Sequence, residues 1–294
     1  MMSVSESQLD IWAKQGSVTQ SQQTYEIVRN SLSAPDAPYH NRSYSIFLQG
    51  SYGNDTNIYA DSDVDVVIAT DSVYYSDTEA LSEAQLAVLN ARFSRAEYQY
   101  ADFKRDVTNQ LRKRFGDDVK PGKKAILVKG NGTRRDADVL AAAEHRRYTG
   151  VGENYHQGIV FWTSDGTMIV NFPKQHSANC TAKHQLTNGW FKPSVRILKN
   201  MRNRMIVDRV IPDDLAPSYF LEGMLYNVPS SNFGGTYVST IANSLNWLLH
   251  SDRSSLLCAN ELYKLLHPTS PVTWRAEKMN TYLRSTIDFW NSWS

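Results

Sequence analysis

The sequence predicts an α+β protein, with a mixed sheet in the first half and an α-helical lobe in the second. Short runs rich in β-branched and aromatic residues recur between residues 44 and 170, the signature of strands. From about Pro173 onward the apolar residues fall at helical spacing instead. The 294 residues, 41% hydrophobic and 21% charged, lie in the ordinary globular range, which excludes disordered and fibrous classes and allows one or two domains. The expected division is an α/β core with an N-terminal helix over 1–170 and a helical lobe over 171–294. A ligand cleft is expected where such halves meet.

The elements follow in order. Leu9, Ile11 and Trp12, then Tyr25, Ile27, Val28 and Leu32, give residues 6–33 one apolar helical face, with an interruption near Gly16-Ser17. Ala34-Pro35-Asp36-Ala37-Pro38 then punctuates the chain. Tyr44, Ile46 and Leu48 mark a strand that runs into the turn Gly50-Ser51-Tyr52-Gly53 and a polar segment through Asp61. Asp63 to Ala69 is a second strand, and residues 82–115 an amphipathic helix ended by Gly116. Ala125–Val128 and Arg135–Leu140 read as strands on either side of a Gly130-Asn131-Gly132 turn. Ile159–Trp162 and Met168–Val170 flank Asp165-Gly166, a type I′ hairpin signal. Helical patterns then cover 192–208, 217–227, 236–250, 258–266 and 275–291, without internal repeats or low-complexity tracts.

A net charge of +1 gives no global attraction to nucleic acid or membrane, although a local basic surface stays open. Cys180 and Cys258 cannot build a disulfide framework or a Cys-rich zinc site, and they fit a reducing compartment. The N-terminus has neither a basic nor an apolar signal region, and no apolar run approaches the roughly 18 residues of a membrane span. A cytoplasmic protein without a membrane segment is therefore expected. The seven histidines show no metal-ligand spacing, His176 in Pro-Lys-Gln-His being a weak exception to a structural reading. Lys120-Pro-Gly-Lys-Lys124 reads as a solvated loop.

The chemistry is concentrated in Gln49-Gly50-Ser51 and, after eleven further residues, Asp63-Val64-Asp65. Carboxylates at i and i+2 of a strand share a face and can converge on hard divalent cations, while Val64 and Val66 point to the core. The Gly-Ser turn after a strand supplies backbone N–H groups and a hydroxyl for an anion. A phosphate cradle beside paired carboxylates is equipment for metal-assisted phosphoryl or nucleotidyl transfer. Such a site needs a third carboxylate. Asp138, bracketed by Ala137, Val139 and Leu140, is preferred over Asp136, which follows Arg134-Arg135 and sits at the strand start. A calcium-loop reading of Asp61-Ser62-Asp63-Val64-Asp65 fails, because Val66 and Ser72 stand where that loop needs Gly and Glu.

Gly-Ser-x11-Asp-Val-Asp resembles the signature of the polymerase-β-like nucleotidyltransferase superfamily. Within it, the chain is most similar to the bacterial cGAS/DncV-like nucleotidyltransferases (CD-NTases), clade E. The likeness extends to Asn171–His176, Phe191–Asn203 and Pro217–Glu222 and covers about residues 40–230. One departure is visible: several members carry basic residues just after the Gly-Ser, where this chain has Tyr52-Gly53-Asn54-Asp55. The resemblance implies a polymerase-β-like core and two Mg²⁺ ions, with Mn²⁺ able to substitute, on Asp63, Asp65 and Asp138. It implies Lys199 and Ser218 on donor phosphates, Tyr219 stacked on a base, and Gln49, Gly50 and Ser51 at the nucleotide. On a helix Lys192, Arg196, Lys199 and Asn203 form one polar, cationic stripe, either a solvated face or the counterpart of a triphosphate tail. Tyr219 is alternatively a core aromatic. Asn171 stands where purine-using relatives commonly carry Ser or Thr; its amide can match the O4/N3–H edge of uracil, or else simply cap a turn before Pro173.

The function so implied is condensation of two NTPs, with UTP and ATP favoured, into a pyrimidine-containing cyclic dinucleotide: cyclic UMP–AMP or cyclic di-UMP. A separate effector protein would read the product in antiphage defence, and nucleic-acid activation is not expected. The alternatives are a purine cyclic dinucleotide synthase, a transferase modifying a small molecule, RNA or protein, and a silent nucleotide-binding module.

Overall fold

The structure is a computed structural model and describes residues 4–59, 63–92, 94, 96–150 and 154–293; Asp61 of the acidic run lies outside them. The chain divides into two compact units, one of Val18–Gln49 with Ser62–Pro173, the other of Met1–Ser17, Gly50–Asp61 and Lys174–Ser294. The helical unit thus takes in two segments that precede residue 171, and Asn54, Asp55 and Thr56 of the second are bonded to its helices.

The first unit is built on a mixed seven-stranded sheet in the order β1-β2-β5-β4-β3, with β6 beside β5 and β7 beside β6. The strands are β1 (Tyr44–Leu48), β2 (Val64–Asp77), β3 (Val119–Pro121), β4 (Ile126–Val128), β5 (Ala137–Tyr148), β6 (Tyr155–Trp162) and β7 (Met168–Asn171). β2 and β5 are parallel, with a register shift between Thr70 and Tyr74; all other pairs are antiparallel. Val64, Val66, Ile68, Val139 and Ala142 are fully buried, so the two central strands carry the unit's core. Helices α2 (Thr19–Leu32) and α5 (Tyr100–Phe115) pack on that sheet.

Several elements refine the expectation or differ from it for identifiable reasons. The interruption expected near Gly16-Ser17 divides the 6–33 segment into two helices, α1 (Glu6–Ala13) and α2, and Gly16 is bonded there to Asn57 through both its N–H and its carbonyl. A Cβ at Gly16 would stand 2.5 Å from the Ile58 carbonyl oxygen. Gly16→Ala is therefore expected to destabilise the protein by about 1–3 kcal/mol, read by denaturant unfolding. The 82–115 helix is likewise split into α4 (Glu83–Asn90) and α5, since Ser82 with Gln85 and Gln99 with Asp102 each form a capping box. The turn expected at Gly50–Gly53 is a single helical turn, α3. In the β6–β7 connection only Gly166 has positive φ (83°), Asp165 does not, so the turn is not type I′.

In the helical unit α7 (Phe191–Val207) is buried on most of its circumference and meets α1, α8 (Ser218–Tyr226), α9 (Tyr237–His250) and α10 (Ala276–Ser292). Its core includes Leu9, Leu198, Met201, Leu221, Ile241, Leu248 and Tyr282. The Glu6 carboxylate accepts from the N–H groups of Tyr237 and Val238, which binds α1 to the first turn of α9. The helix α6 (Pro173–Leu186) begins at a proline, where the missing N–H costs nothing, and was hidden by its mixed polar pattern. Residues 258–266, expected to be helical, are not. The N–H of Cys258 bonds the Tyr263 carbonyl, the N–H of Leu262 bonds the Asn260 side chain, and Glu261 takes φ 61°, so turn chemistry overrides the apolar spacing. No helix among the described residues is long and apolar enough to cross a membrane.

Candidate active site

In the sheet unit Asp65 of β2 lies directly across from Asp138 of β5 in the parallel register. Adjacent strands are about 4.8 Å apart, so carboxylates at a register pair on one face are neighbours. Asp63 stands one residue before β2, exposed, where the N–H of Val64 bonds the carbonyl of Asp136 and aligns the strand entry. Burial raises the Asp138 carboxyl above its ordinary range, and the negative charge of Asp63, then of Asp136, raises it further. Asp136 is otherwise engaged: its Oδ1 accepts from the Gly130 N–H at 2.5 Å, closing the β4–β5 turn.

An all-oxygen, like-charged cluster is a donor set of the kind that suits a hard divalent cation. Among the described residues, only His176, Cys180 and Glu222 bring ligating atoms within 4.8 Å of one another. The His176 group is poorly suited to a metal: Glu222 already accepts three hydrogen bonds, and burial, then the charge of Glu222, pushes the Cys180 thiol well up and keeps it protonated.

A carboxyl whose folded pKa lies above its unfolded value favours the fold below the unfolded pKa and loses that contribution as pH rises through the folded one. Asp138→Asn is accordingly expected to raise the melting temperature at pH 7 without divalent ions, the gain vanishing below about pH 4. Added Mg²⁺ should raise the wild-type melting temperature and raise that of Asp138→Asn by less. Differential scanning calorimetry with and without Mg²⁺ reads both.

Asn171 ends β7, paired with Ile159 of β6. Its backbone is locked: a Cβ on Gly158 would meet the Asn171 carbonyl oxygen at 2.7 Å and the Phe172 ring at 2.8 Å, and Phe172 is 1% exposed. Among the described residues the Asn171 amide has no hydrogen-bond partner, so it caps no turn. Gln49, which follows β1, donates its N–H to the Asp65 carbonyl; its Oε1 is buried without a partner among the described residues.

In the helical unit Gly50 has φ 65°, a backbone only glycine adopts freely, and its carbonyl accepts from the Asn54 N–H. The Ser51 carbonyl accepts from the N–H of Thr56. The three cations of the α7 stripe are buried, Asn203 only partly, and they hold this segment. Lys192 Nζ donates to Asp55 Oδ2 at 2.9 Å, Arg196 Nη1 to the Asp55 carbonyl at 2.7 Å, and Lys199 Nζ, 0% exposed, to the Thr56 carbonyl at 3.0 Å. The solvated-face reading of the stripe's cations is thereby overturned: their charge is spent on Asp55 and the Thr56 carbonyl. Ser218 Oγ accepts from Arg202 Nη1 at 3.1 Å. Tyr219 is half-buried, its ring stacked on His176 at 4.7 Å and its hydroxyl accepting from Asn260.

Glu222, Asn54 and Thr56 were not anticipated as parts of the site. The available signal was Glu222 itself, a lone acid among Leu221, Gly223, Met224 and Leu225 on an apolar helix, since a buried carboxylate requires donors.

Residues 178–291 match the cGAS/DncV-like nucleotidyltransferase C-terminal helical domain. The chain is 38% identical to a cyclic UMP-AMP synthase of Rhodothermus marinus, covering 99% of each chain. It is 35% identical to a cyclic dipurine nucleotide synthase of Elizabethkingia meningoseptica, over 92% of this chain and 94% of that one. The structure of the Rhodothermus marinus CdnE c-UMP-AMP synthase with Apcpp and Upnpp superposes with a TM-score of 0.89 at 37% identity, covering 99% of this chain and 98% of that one.

Proposed function

The chain belongs to the CdnE-like cGAS/DncV-like nucleotidyltransferases and is itself a nucleotidyltransferase; on that premise we propose that it condenses UTP with ATP, or two UTP, into a pyrimidine-containing cyclic dinucleotide read by a separate effector in antiphage defence. The observation that carries the reading is the register pair Asp65–Asp138 with the charge of Asp63 beside it. Asp63 and Asp65 would hold two Mg²⁺ ions, with Mn²⁺ as a substitute, and Asp138 would complete one of them. Bound there, the ions supply charge neutralisation on the triphosphate and a lowered pKa for an acceptor ribose hydroxyl.

The remaining roles fall to the chain's own groups. Gly50 and Ser51 offer backbone N–H groups and a hydroxyl to the donor phosphates, so that the α-phosphate is presented in line to the acceptor hydroxyl and pyrophosphate leaves on the far side. Ser218 adds a hydroxyl from the first turn of α8. Lys199, bonded to the Thr56 carbonyl, lends positive charge behind the turn. Tyr219 supplies a ring whose stacking contributes about 1–3 kcal/mol for any base, so it fixes a base without choosing it. Choice is assigned to Asn171, whose unpartnered amide can donate and accept at a uracil edge.

The relatives make different products, one cyclic UMP-AMP and another cyclic dipurine, so this chain's own products decide the base assignment. Incubation with mixed labelled NTPs and Mg²⁺, followed by phosphatase treatment and chromatography, is the test. A phosphatase-resistant, uridine-containing cyclic product is expected. A linear or substrate-linked product, a purine-only cycle, or nucleotide binding without pyrophosphate release would each replace the reading with one of its alternatives.

A further inference from the structure

We infer that the buried pair Glu222 and His176 is a positioning device that sets the Gly50-Ser51 turn and the Tyr219 ring as one piece; this rests on the nucleotide roles proposed above. Glu222 is 2% exposed, and its carboxylate accepts from Asn54 Nδ2 at 2.9 Å, Thr56 Oγ1 at 2.5 Å and His176 Nε2 at 2.6 Å. Two of those donors belong to the residues whose own backbone N–H groups hold the turn: Asn54 bonds the Gly50 carbonyl at 3.1 Å and Thr56 the Ser51 carbonyl at 2.9 Å. The third donor, His176, lies flat against Tyr219, ring centroids 4.7 Å apart and planes 22° from parallel. One carboxylate therefore reaches the phosphate turn through two side chains and the aromatic ring through one.

The electrostatics agree with a fixed, ionised hub. Burial alone would raise Glu222, but the hydrogen bond and charge of His176, the Thr56 hydroxyl and the charge of Lys199 outweigh it and hold the carboxyl below its ordinary range. Between the two loop donors, Asp55 takes φ 55°, a left-handed conformation that persists here because Lys192 and Arg196 grip its carboxylate and carbonyl. The effect of these groups runs through the turn and the ring, so they are positioning residues.

The turn meets phosphates, which every NTP shares, so loosening the hub weakens all substrates alike. A merely structural role would lower the folded fraction, scaling kcat and leaving KM untouched. In the full-length protein, Glu222→Gln and Thr56→Val are expected to raise KM for UTP and ATP together by about tenfold, with the base composition of the product unchanged. Thr56→Ser, which restores the hydroxyl, should return KM to within about twofold of wild type. Should Glu222→Gln not fold, the two Thr56 variants decide the matter. Variants folded by circular dichroism with wild-type KM for both NTPs would overturn the inference. Calorimetric titration with a non-hydrolysable UTP analogue separates it from the functional reading. Weaker binding in the variants supports the positioning role even if wild type makes no cyclic product, and unchanged binding defeats it even if wild type does.

Discussion

Replacing Asp63 by Asn is expected to reduce product formation by about 10³-fold or more, a loss of roughly 4 kcal/mol or greater in transition-state stabilisation. The substitution keeps the side chain's size and removes one anionic oxygen set from the strand entry, so the effect is chemical rather than steric. Asp63 stands exposed before β2, where no core packing depends on it, and circular dichroism and melting temperature should stay close to wild type. Its charge raises Asp138, so the substitution should also let the Asp138 carboxyl relax toward its ordinary range. Steady-state turnover with saturating UTP, ATP and Mg²⁺ is the measurement. Undiminished product from a folded Asp63→Asn protein would remove the metal-binding role from the cluster.

The second large effect concerns which bases enter the product. Asn171→Ser exchanges an amide, donor and acceptor at once, for a shorter hydroxyl on a backbone that Gly158 and Phe172 hold in place. A site that hydrogen-bonds one base edge rejects a base that leaves those groups unpaired, and a loss of about 2–3 kcal/mol corresponds to roughly a hundredfold change in selectivity. The expected outcome is a fall of that order in the uridine-to-purine ratio of incorporation with total turnover much less affected, read by competition between labelled UTP and GTP. An unchanged ratio would move base choice away from Asn171.

Much of the fold was legible because burial and periodicity coincide. β1, β2 and the β4–β5 hairpin carry apolar residues in short bounded runs, and α7, α9 and α10 carry wide apolar faces. The placing of Asp65 and Asp138 on strands was legible for a similar reason, each being bracketed by apolar residues, and the structure sets the two across from each other; their role at a metal is the proposal made above. Legibility ended where local turn chemistry or distant partners decide. Residues 258–266 have helical spacing yet fold around Asn260 and Glu261. The cations of the α7 stripe have the pattern of a solvated face and are buried, because they find Asp55 and Thr56 more than 130 residues away in sequence. No local rule locates such partners. The membership of the segment around Asp55 in the helical unit was invisible for the same reason: Asn54, Asp55 and Thr56 are bonded to Lys192, Arg196, Lys199 and Glu222, remote along the chain.

The account depends on Asp63, Asp65 and Asp138 gripping divalent ions over a triphosphate. The direct measurement is the anomalous difference map of a crystal grown with Mn²⁺ and a non-hydrolysable NTP. Two peaks about 3.5–4 Å apart, both touched by Asp63 and Asp65 and one by Asp138, are the predicted result. Nucleotide bound with no manganese at those carboxylates, or manganese held instead by His176, Cys180 and Glu222, would contradict it.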